Sequence, residues 1–139
     1  MKVLVPIDGS DCSLRALQYV TAHSEFFGAN GTLALIHVHY PLPSGRAASW
    51  VGRETVDAYY SEESDEALKA ATAHLAASGR KATVLKKVGD PAQEIAAVAK
   101  DFDMIVMGNQ GRTALANLAI GSVATRTLAC SSVPVLLVK

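Results

Sequence analysis

Three glycines and one serine near the C-terminus carry the clearest chemical signal in this sequence. The apolar run 104–107 ends at Gly108, Gly111 follows three positions later, and Gly121 with Ser122 opens a helical pattern. Glycine lets backbone N–H groups approach a ligand closely, because no side chain is in the way. A helix N-terminus adds unpaired N–H donors and a partial positive charge. The spacing therefore predicts a cradle for an anion, above all for the phosphates of a nucleotide.

These residues also have simpler interpretations. Glycines often serve turns without any ligand, and a serine at the start of a helix often caps it. A cap and a phosphate contact are compatible for Ser122. The spacing of the glycines, with a hydroxyl directly after the last one, favours the nucleotide interpretation.

An acid at the end of the first predicted strand is the second candidate. The short β-branched run 3–7 predicts a strand buried on both faces, and Asp8-Gly9-Ser10 follows it. Alone, Asp8 would be interpreted as a turn or cap residue. Opposite the glycine loop, it favours a contact with ribose hydroxyls, whereas Ser10 is predicted to cap the following helix.

The elements that must position these residues alternate along the chain. Strands are predicted over 3–7, 31–38, 82–88, 104–107 and 133–138. Helices are predicted over 11–27, over 56–78, from Pro91 onward, and within 118–129 with a start near Gly121. This alternation predicts an α/β fold, a parallel sheet covered by helices on both faces, in one domain over 1–139. Ligands of such sheets bind beyond the carboxyl ends of the strands, where the strand order reverses. If the first and fourth strands are neighbours, Asp8 and Gly108 face one crevice.

Other candidate residues have weaker signals. The irregular segment 40–55, with Arg46, Trp50 and Arg53, could be a lid over the ligand or a solvated loop, and the sequence favours neither. His37 and His39 share a face of one strand, but no further ligands stand at metal-binding spacing. They are interpreted as structural or solvent-facing residues, and no metal site is predicted.

Composition narrows the classes of function. The chain has 139 residues with 13 basic and 13 acidic side chains and a formal net charge of +0. That balance argues against a dedicated nucleic-acid binder and is compatible with self-association. No apolar stretch is long enough to span a membrane, and the N-terminus lacks the pattern of a signal peptide. The two cysteines, Cys12 and Cys130, are expected to stay reduced. A cytoplasmic protein is the expectation.

The whole chain resembles the universal stress protein family. The resemblance rests on the opening Val-Pro-Ile-Asp-Gly-Ser, on Gly89-Asp90-Pro91, on the Gly108-x2-Gly111-x9-Gly121-Ser122 pattern and on the closing Ser-Val-Pro-Val-Leu-Leu-Val. It implies a Rossmann- or flavodoxin-like sheet with strand order 3-2-1-4-5. It also implies an ATP-binding regulatory protein of the stress response, with ADP or AMP as other ligands and Mg²⁺ as the accompanying ion. A homodimer through the last strand, Val133–Val138, is implied as well. A long apolar edge strand is an aggregation hazard unless it is paired, which supports that pairing.

The resemblance also assigns nucleotide contacts residue by residue. The cofactor-binding residues that it implies are Pro6, Ile7, Asp8, Val38, Met107, Gly108, Gln110, Gly111, Gly121, Ser122 and Val123. The glycines and Ser122 would hold the ribose and phosphates, and Val123 would add a backbone N–H. Asp8 would accept hydrogen bonds from the ribose or adenine, while Pro6, Ile7 and Val38 would line the base pocket. One position departs from the family, because many ATP-binding members carry Arg or His where this chain has Gln110. Arg112, or Arg46 and Arg53 from the loop, could supply the missing charge.

Two other functions stay open at this point. A slow ATPase or a nucleotidyl-transfer enzyme could share this architecture, but no Walker lysine follows the glycines and no general base can be named. A dimeric interaction scaffold without nucleotide would fit family members that lack the glycine motif, which this chain keeps. No catalytic residue is therefore assigned.

Overall fold

The computed structural model describes residues 1–23, 25, 27–28, 30–42, 52–112 and 119–139. The elements, in chain order, are β1 (Lys2–Pro6), α1 (Asp11–Ala22), β2 (Thr32–His39), α2 (Arg53–Ser78), β3 (Thr83–Val88), α3 (Pro91–Ala99), β4 (Met104–Gly108), α4 (Ser122–Cys130) and β5 (Val135–Val138). Arg46 and Trp50, two of the three residues of the lid hypothesis, lie outside the described residues, as does the part 113–118 of the glycine loop. The third, Arg53, was predicted in the irregular segment but is the first residue of α2.

The strands form one parallel sheet in the order β3-β2-β1-β4-β5. This confirms the predicted order and the predicted fold class. β1 pairs with β2 on one side and with β4 on the other, with Val3 beside Met104 and Leu4 beside Ile105. The strand order therefore reverses between β1 and β4, and a ligand crevice is expected beyond their carboxyl ends.

Helices cover both faces of the sheet, and each face has its own apolar core. On one face, Val5 of β1 and Val106 of β4 pack with Leu17 of α1 and Leu68 of α2. The opposite face has a second cluster, whose members come from the strands and from α3 and α4: Leu4, Ala34, Ile36, Ile95, Ala99, Ile105, Met107 and Ala124. Successive residues of a strand point to opposite faces, so each central strand contributes to both cores.

Helix starts follow their capping residues. The Ser10 hydroxyl accepts a hydrogen bond from the Ser13 N–H at 3.2 Å, and the Asp90 carboxylate accepts one from the Gln93 N–H at 3.1 Å. Pro91 occupies the first turn of α3, where its missing N–H has no cost. The predicted cap at Ser10 and the predicted helix start at Pro91 are confirmed.

The predicted length of α1 was wrong, because the helix ends at Ala22 and not near Phe27. His23 leaves the helical conformation at φ −106° and ψ 64°, while its N–H still reaches the Tyr19 carbonyl at 3.2 Å. Phe27 is nevertheless buried in the same core as Leu17. A non-helical turn brings Phe27 to the core, which explains why the apolar period continues past the end of the helix.

No helix within the described ranges is long and apolar enough to cross a bilayer.

Candidate functional site

The ends of β1 and β4 meet at the side chain of Asp8. One carboxylate oxygen, Oδ1, accepts a hydrogen bond from the Ser10 N–H at 3.0 Å. The other, Oδ2, accepts one from the Arg112 N–H at 3.2 Å, across 104 positions of sequence. A Cβ at Gly111 would lie only 2.7 Å from Oδ2. The predicted proximity of the first strand end and the glycine loop is thus confirmed, and any side chain at 111 would push the Asp8 carboxylate aside.

Gly108 serves a different contact. It is buried, and a Cβ there would lie 2.7 Å from the backbone carbon and 2.8 Å from the Cβ of Cys12, in the first turn of α1. The absence of a side chain at Gly108 therefore allows α1 to pack closely on β4. This packing explains the residue type without any ligand.

The glycine loop returns to the end of β4. The Gly121 N–H donates to the Asn109 carbonyl at 2.7 Å, and the Asn109 side-chain amide donates to the Ala119 carbonyl at 2.8 Å. A Cβ at Gly121 would lie 3.3 Å from the Cα of Gln110 and 3.5 Å from the nitrogen of Gly111. These contacts place the N-terminus of α4 directly beside the loop that faces Asp8.

The first turn of α4 offers donors that no side chain caps. Gly121 is the N-cap residue and makes no side-chain cap, in contrast to Ser10 at α1 and Asp90 at α3. Ser122 is exposed, and within the described part of the chain no hydrogen bond is made by its hydroxyl. Unpaired N–H groups and the positive end of the helix dipole therefore face the crevice, which is the arrangement that holds an anion.

Pro6, Ile7 and Val38, which were predicted to line a base pocket, and the cofactor-binding candidate Met107 divide between the two faces of the sheet. Val38 and Met107 belong to the core on the α3 and α4 face, and Pro6 is buried nearby in the adjacent strand. Ile7 packs in the opposite core, with 3% of its surface exposed. Its side chain therefore does not join the other three. Its backbone N–H donates to the Ile36 carbonyl at 2.8 Å and so links β1 to β2.

His37 completes this arrangement as a structural residue. Its ring is buried, and Nδ1 lies 2.7 Å from the Ile7 carbonyl oxygen. A carbonyl only accepts, so Nδ1 carries the proton. The structural interpretation of His37 is confirmed. His39 lies at the same edge, with its ring edge-on to Tyr60 at 5.0 Å between centroids.

An ion pair beside this site was missed by sequence reasoning. Arg126 of α4 forms two hydrogen bonds to the carboxylate of Asp90, at 2.8 and 2.9 Å. The Arg126 hydrogen bonds, followed by the hydrogen bond from the Gln93 N–H, hold the pKa of Asp90 below its ordinary value. Arg126 stands four residues after Ser122, so both lie on one side of α4. The spacing from Ser122 could have indicated that Arg126 lies near the site. The pairing with Asp90 could be seen only once α3 and α4 were placed side by side.

The comparisons with known proteins agree with this architecture. The sequence matches the Universal stress protein family over residues 1–139. It is 34% identical over 141 residues to the universal stress protein MJ0531 of Methanocaldococcus jannaschii, covering 99% of this chain and 81% of that protein. Among solved structures, it is similar to the protein MJ0577 at 31% identity and a TM-score of 0.76, covering 99% of this chain and 94% of the other.

A second solved structure carries a ligand. It is a universal stress protein in complex with cAMP, 26% identical to this chain with a TM-score of 0.59, and the match covers 100% of this chain and 97% of the other. Because the family match spans residues 1–139 and these relatives cover nearly all of the sequence, the chain belongs to the universal stress protein family.

Proposed function

We propose that this protein is a regulatory binder of adenine nucleotides, with ATP and Mg²⁺ as the first candidate ligand and ADP or AMP as the others. One observation carries the proposal: the Asp8 carboxylate lies against Gly111, and the uncapped N-terminus of α4 lies on the other side of the same loop. A sugar hydroxyl needs an acceptor, and a phosphate needs donors. This crevice offers both within one short loop.

The nucleotide would lie across the carboxyl ends of β1 and β4. Its phosphates would contact the backbone at Gly111 and the first turn of α4 at Ser122 and Val123. The ribose would contact Asp8, and the base would lie toward Val38. The cAMP complex of a 26% identical relative supports an adenine nucleotide as the class of ligand. The proposal assigns no catalytic residue, and we expect the protein to act in the cytoplasm.

Phosphate affinity at this site would come chiefly from backbone donors. The family often has a cation where this chain has Gln110, and Arg126, the arginine on the same side of α4 as Ser122, is occupied by Asp90. Charged donors give shorter and stronger hydrogen bonds to phosphate than neutral ones. We therefore expect weaker ATP binding than a charged residue at 110 would give, and a strong dependence on the helix N-terminus.

Titration calorimetry with Mg-ATP tests the proposal through a matched pair of variants. Asp8→Asn keeps the size of the side chain but removes its charge, so ATP binding should weaken by about tenfold, the loss of one charge-assisted hydrogen bond. Asp101→Asn makes the same change at an exposed residue at the opposite end of the sheet and should bind as the wild type does. Absence of heat from ATP, ADP and AMP in the wild type would refute the proposal, and equal losses in both variants would refute the site.

A homodimer through β5 is the second part of the proposal. β5 is an edge strand of four apolar residues, Val135–Val138, all partly exposed. The other edge strand, β3, carries Lys86 and Lys87. Lysine on an edge strand discourages pairing with another chain, whereas an uncharged apolar edge invites it. We therefore expect β5, and not β3, to pair with a second copy.

The outward N–H of β5 can be removed without breaking the hydrogen bonds to β4, although the Leu137 side chain also packs on the second core. The Pro134 and Val138 carbonyls accept hydrogen bonds from β4 at 2.9 and 2.8 Å, so alternation turns the N–H of Leu137 outward. Leu137→Pro should therefore shift the mass measured by light scattering from dimer to monomer. Val84→Pro removes an outward N–H from β3 and should leave the dimer intact. A monomeric wild type would refute the dimer, and a dimer that survives Leu137→Pro would refute pairing through β5.

A further inference from the structure

A second depression lies at the amino ends of β2 and β3, at the end of the sheet opposite to the nucleotide crevice. It is an open depression of about 360 Å³, a volume within the usual range of small-molecule sites. Its lining combines an aromatic ring, a leucine, two hydroxyl groups and two cations: Phe27, Leu33, Thr32, Thr83, Arg80 and Lys81. None of the described residues that line it is acidic.

Arg80 is held in place by the end of α2. Gly79 adopts the left-handed conformation at φ 65°, and the N–H groups of Gly79 and Arg80 donate to the Ala76 and Leu75 carbonyls at 3.3 and 3.1 Å. This is the Schellman arrangement, which fixes the residue after the glycine. The guanidinium then stands over the Phe27 ring, 5.6 Å from its centroid. An arginine stacked in this way keeps its N–H edge available for a planar or tetrahedral anion.

Two neighbouring cations line this depression. Lys86 and Arg126 each face a carboxylate, at 2.6 and 2.8 Å. Arg80 and Lys81 stand next to each other in sequence and line one depression, and neither makes an ion pair within the described ranges. The partial negative charge at the C-terminal end of α2 favours cations here, and an anion in the depression would be attracted by both side chains.

We propose that this depression is a second binding site, for a small phosphate monoester. The phosphate would be held by the Arg80 fork, the Lys81 ammonium and the threonine hydroxyls, because the guanidinium matches phosphate in a bidentate manner. Phe27 and Leu33 are only 5% and 7% exposed, so the phosphate and not an apolar surface would supply the affinity. The site is separate from the nucleotide crevice, so it stands or falls independently of the proposed function.

Phenyl phosphate is the probe, and its binding to the full chain is measured by two-dimensional ¹H–¹⁵N NMR. The amides of Gly31, Thr32 and Thr83 should shift saturably, with a dissociation constant in the millimolar range. Ser122, at the nucleotide crevice, reports any binding there separately. Benzoate has the same ring and a smaller charge, and should bind more weakly; equal binding of benzoate would overturn the assignment to phosphate.

Variants identify the residues responsible. Arg80→Gln and Lys81→Gln should each raise the dissociation constant, measured from the shifts at Thr32 and Thr83, by roughly tenfold. This corresponds to the loss of one charge-assisted hydrogen bond. Lys100→Gln removes an exposed cation outside the depression and should bind as the wild type does. Wild-type protein whose amides at Thr32 and Thr83 do not shift, or shifts that survive both substitutions in the depression, would overturn the proposal. Lys81 is exposed, so its variant keeps the test valid if Arg80→Gln fails to fold.

Discussion

Replacing Gly111 with alanine tests the contact that joins the two halves of the crevice. The added Cβ would lie 2.7 Å from Asp8 Oδ2, well inside the distance that two such atoms tolerate. The carboxylate must move away, and it then loses the hydrogen bond from the Arg112 N–H. Losing a hydrogen bond to a charged group costs about 1.5 kcal/mol, whereas Gly→Ala recovers about 0.5 kcal/mol by stiffening the unfolded chain. The expected net loss is about 1 kcal/mol, or roughly 3 °C in melting temperature for a chain of this size.

The Asp8→Ala background isolates the cause. Without the carboxylate, the alanine at 111 meets no atom at short distance, so Gly111→Ala should then be neutral or slightly stabilising. The four proteins of this double-mutant cycle can be compared by urea denaturation, and the coupling between the two positions should be about 1.5 kcal/mol, the value of the lost hydrogen bond. Equal destabilisation by Gly111→Ala in both backgrounds would refute the reasoning, because the glycine would then be required by its own backbone and not by Asp8.

Three further predictions concern α4 and the loop before it. Thr127 is fully buried, and its hydroxyl has no hydrogen-bond partner within the described part of the chain; Thr127→Val should therefore raise the free energy of unfolding by about 1 kcal/mol in urea denaturation, and a loss of stability would show that the hydroxyl is satisfied. Arg126→Gln should lower stability at neutral pH, because Arg126 holds the folded-state pKa of Asp90 below its ordinary value of 3.8. That contribution is present above pH 3.8 and is lost as the pH falls through the lowered pKa, so the wild-type and variant urea midpoints should converge in acid; a gap that is constant with pH would contradict the pair. Gln110→Arg should tighten ATP binding in calorimetry, because it adds a charged donor beside the phosphates, and unchanged affinity would mean that position 110 does not face them.

The fold could be predicted from the sequence because local and global signals agree. Apolar β-branched runs alternate with helical patterns, and capping residues such as Ser10 and Asp90 mark helix starts that the structure confirms. The strand order followed from the resemblance, and it brings Asp8 and Gly111 together as predicted. The end of α1 was the weakest of these predictions, because Phe27 keeps the helical period while reaching the core from a turn.

The details of the site depend on packing that no local pattern reveals. Gly108 resembles a ligand-binding glycine in sequence, yet its closest neighbour is Cys12 of a helix that starts almost a hundred residues earlier. Ile7 stands between Pro6 and Asp8 in sequence, yet strand alternation turns it to the opposite core. Arg126 and Asp90 are 36 positions apart, and only the packing of α3 against α4 makes them a pair. Each case involves a contact between elements that are distant in the chain.

Intact-complex mass spectrometry of the freshly purified protein tests adenine-nucleotide binding most directly. We expect a species heavier than the polypeptide by the mass of an adenine nucleotide, either as purified or after addition of excess Mg-ATP. Gly121→Val, which fills the space beside Gln110 and Gly111 at the start of α4, should abolish that species while the protein stays folded. A protein that appears only at the mass of the polypeptide, with excess ATP, ADP or AMP present, would contradict the account.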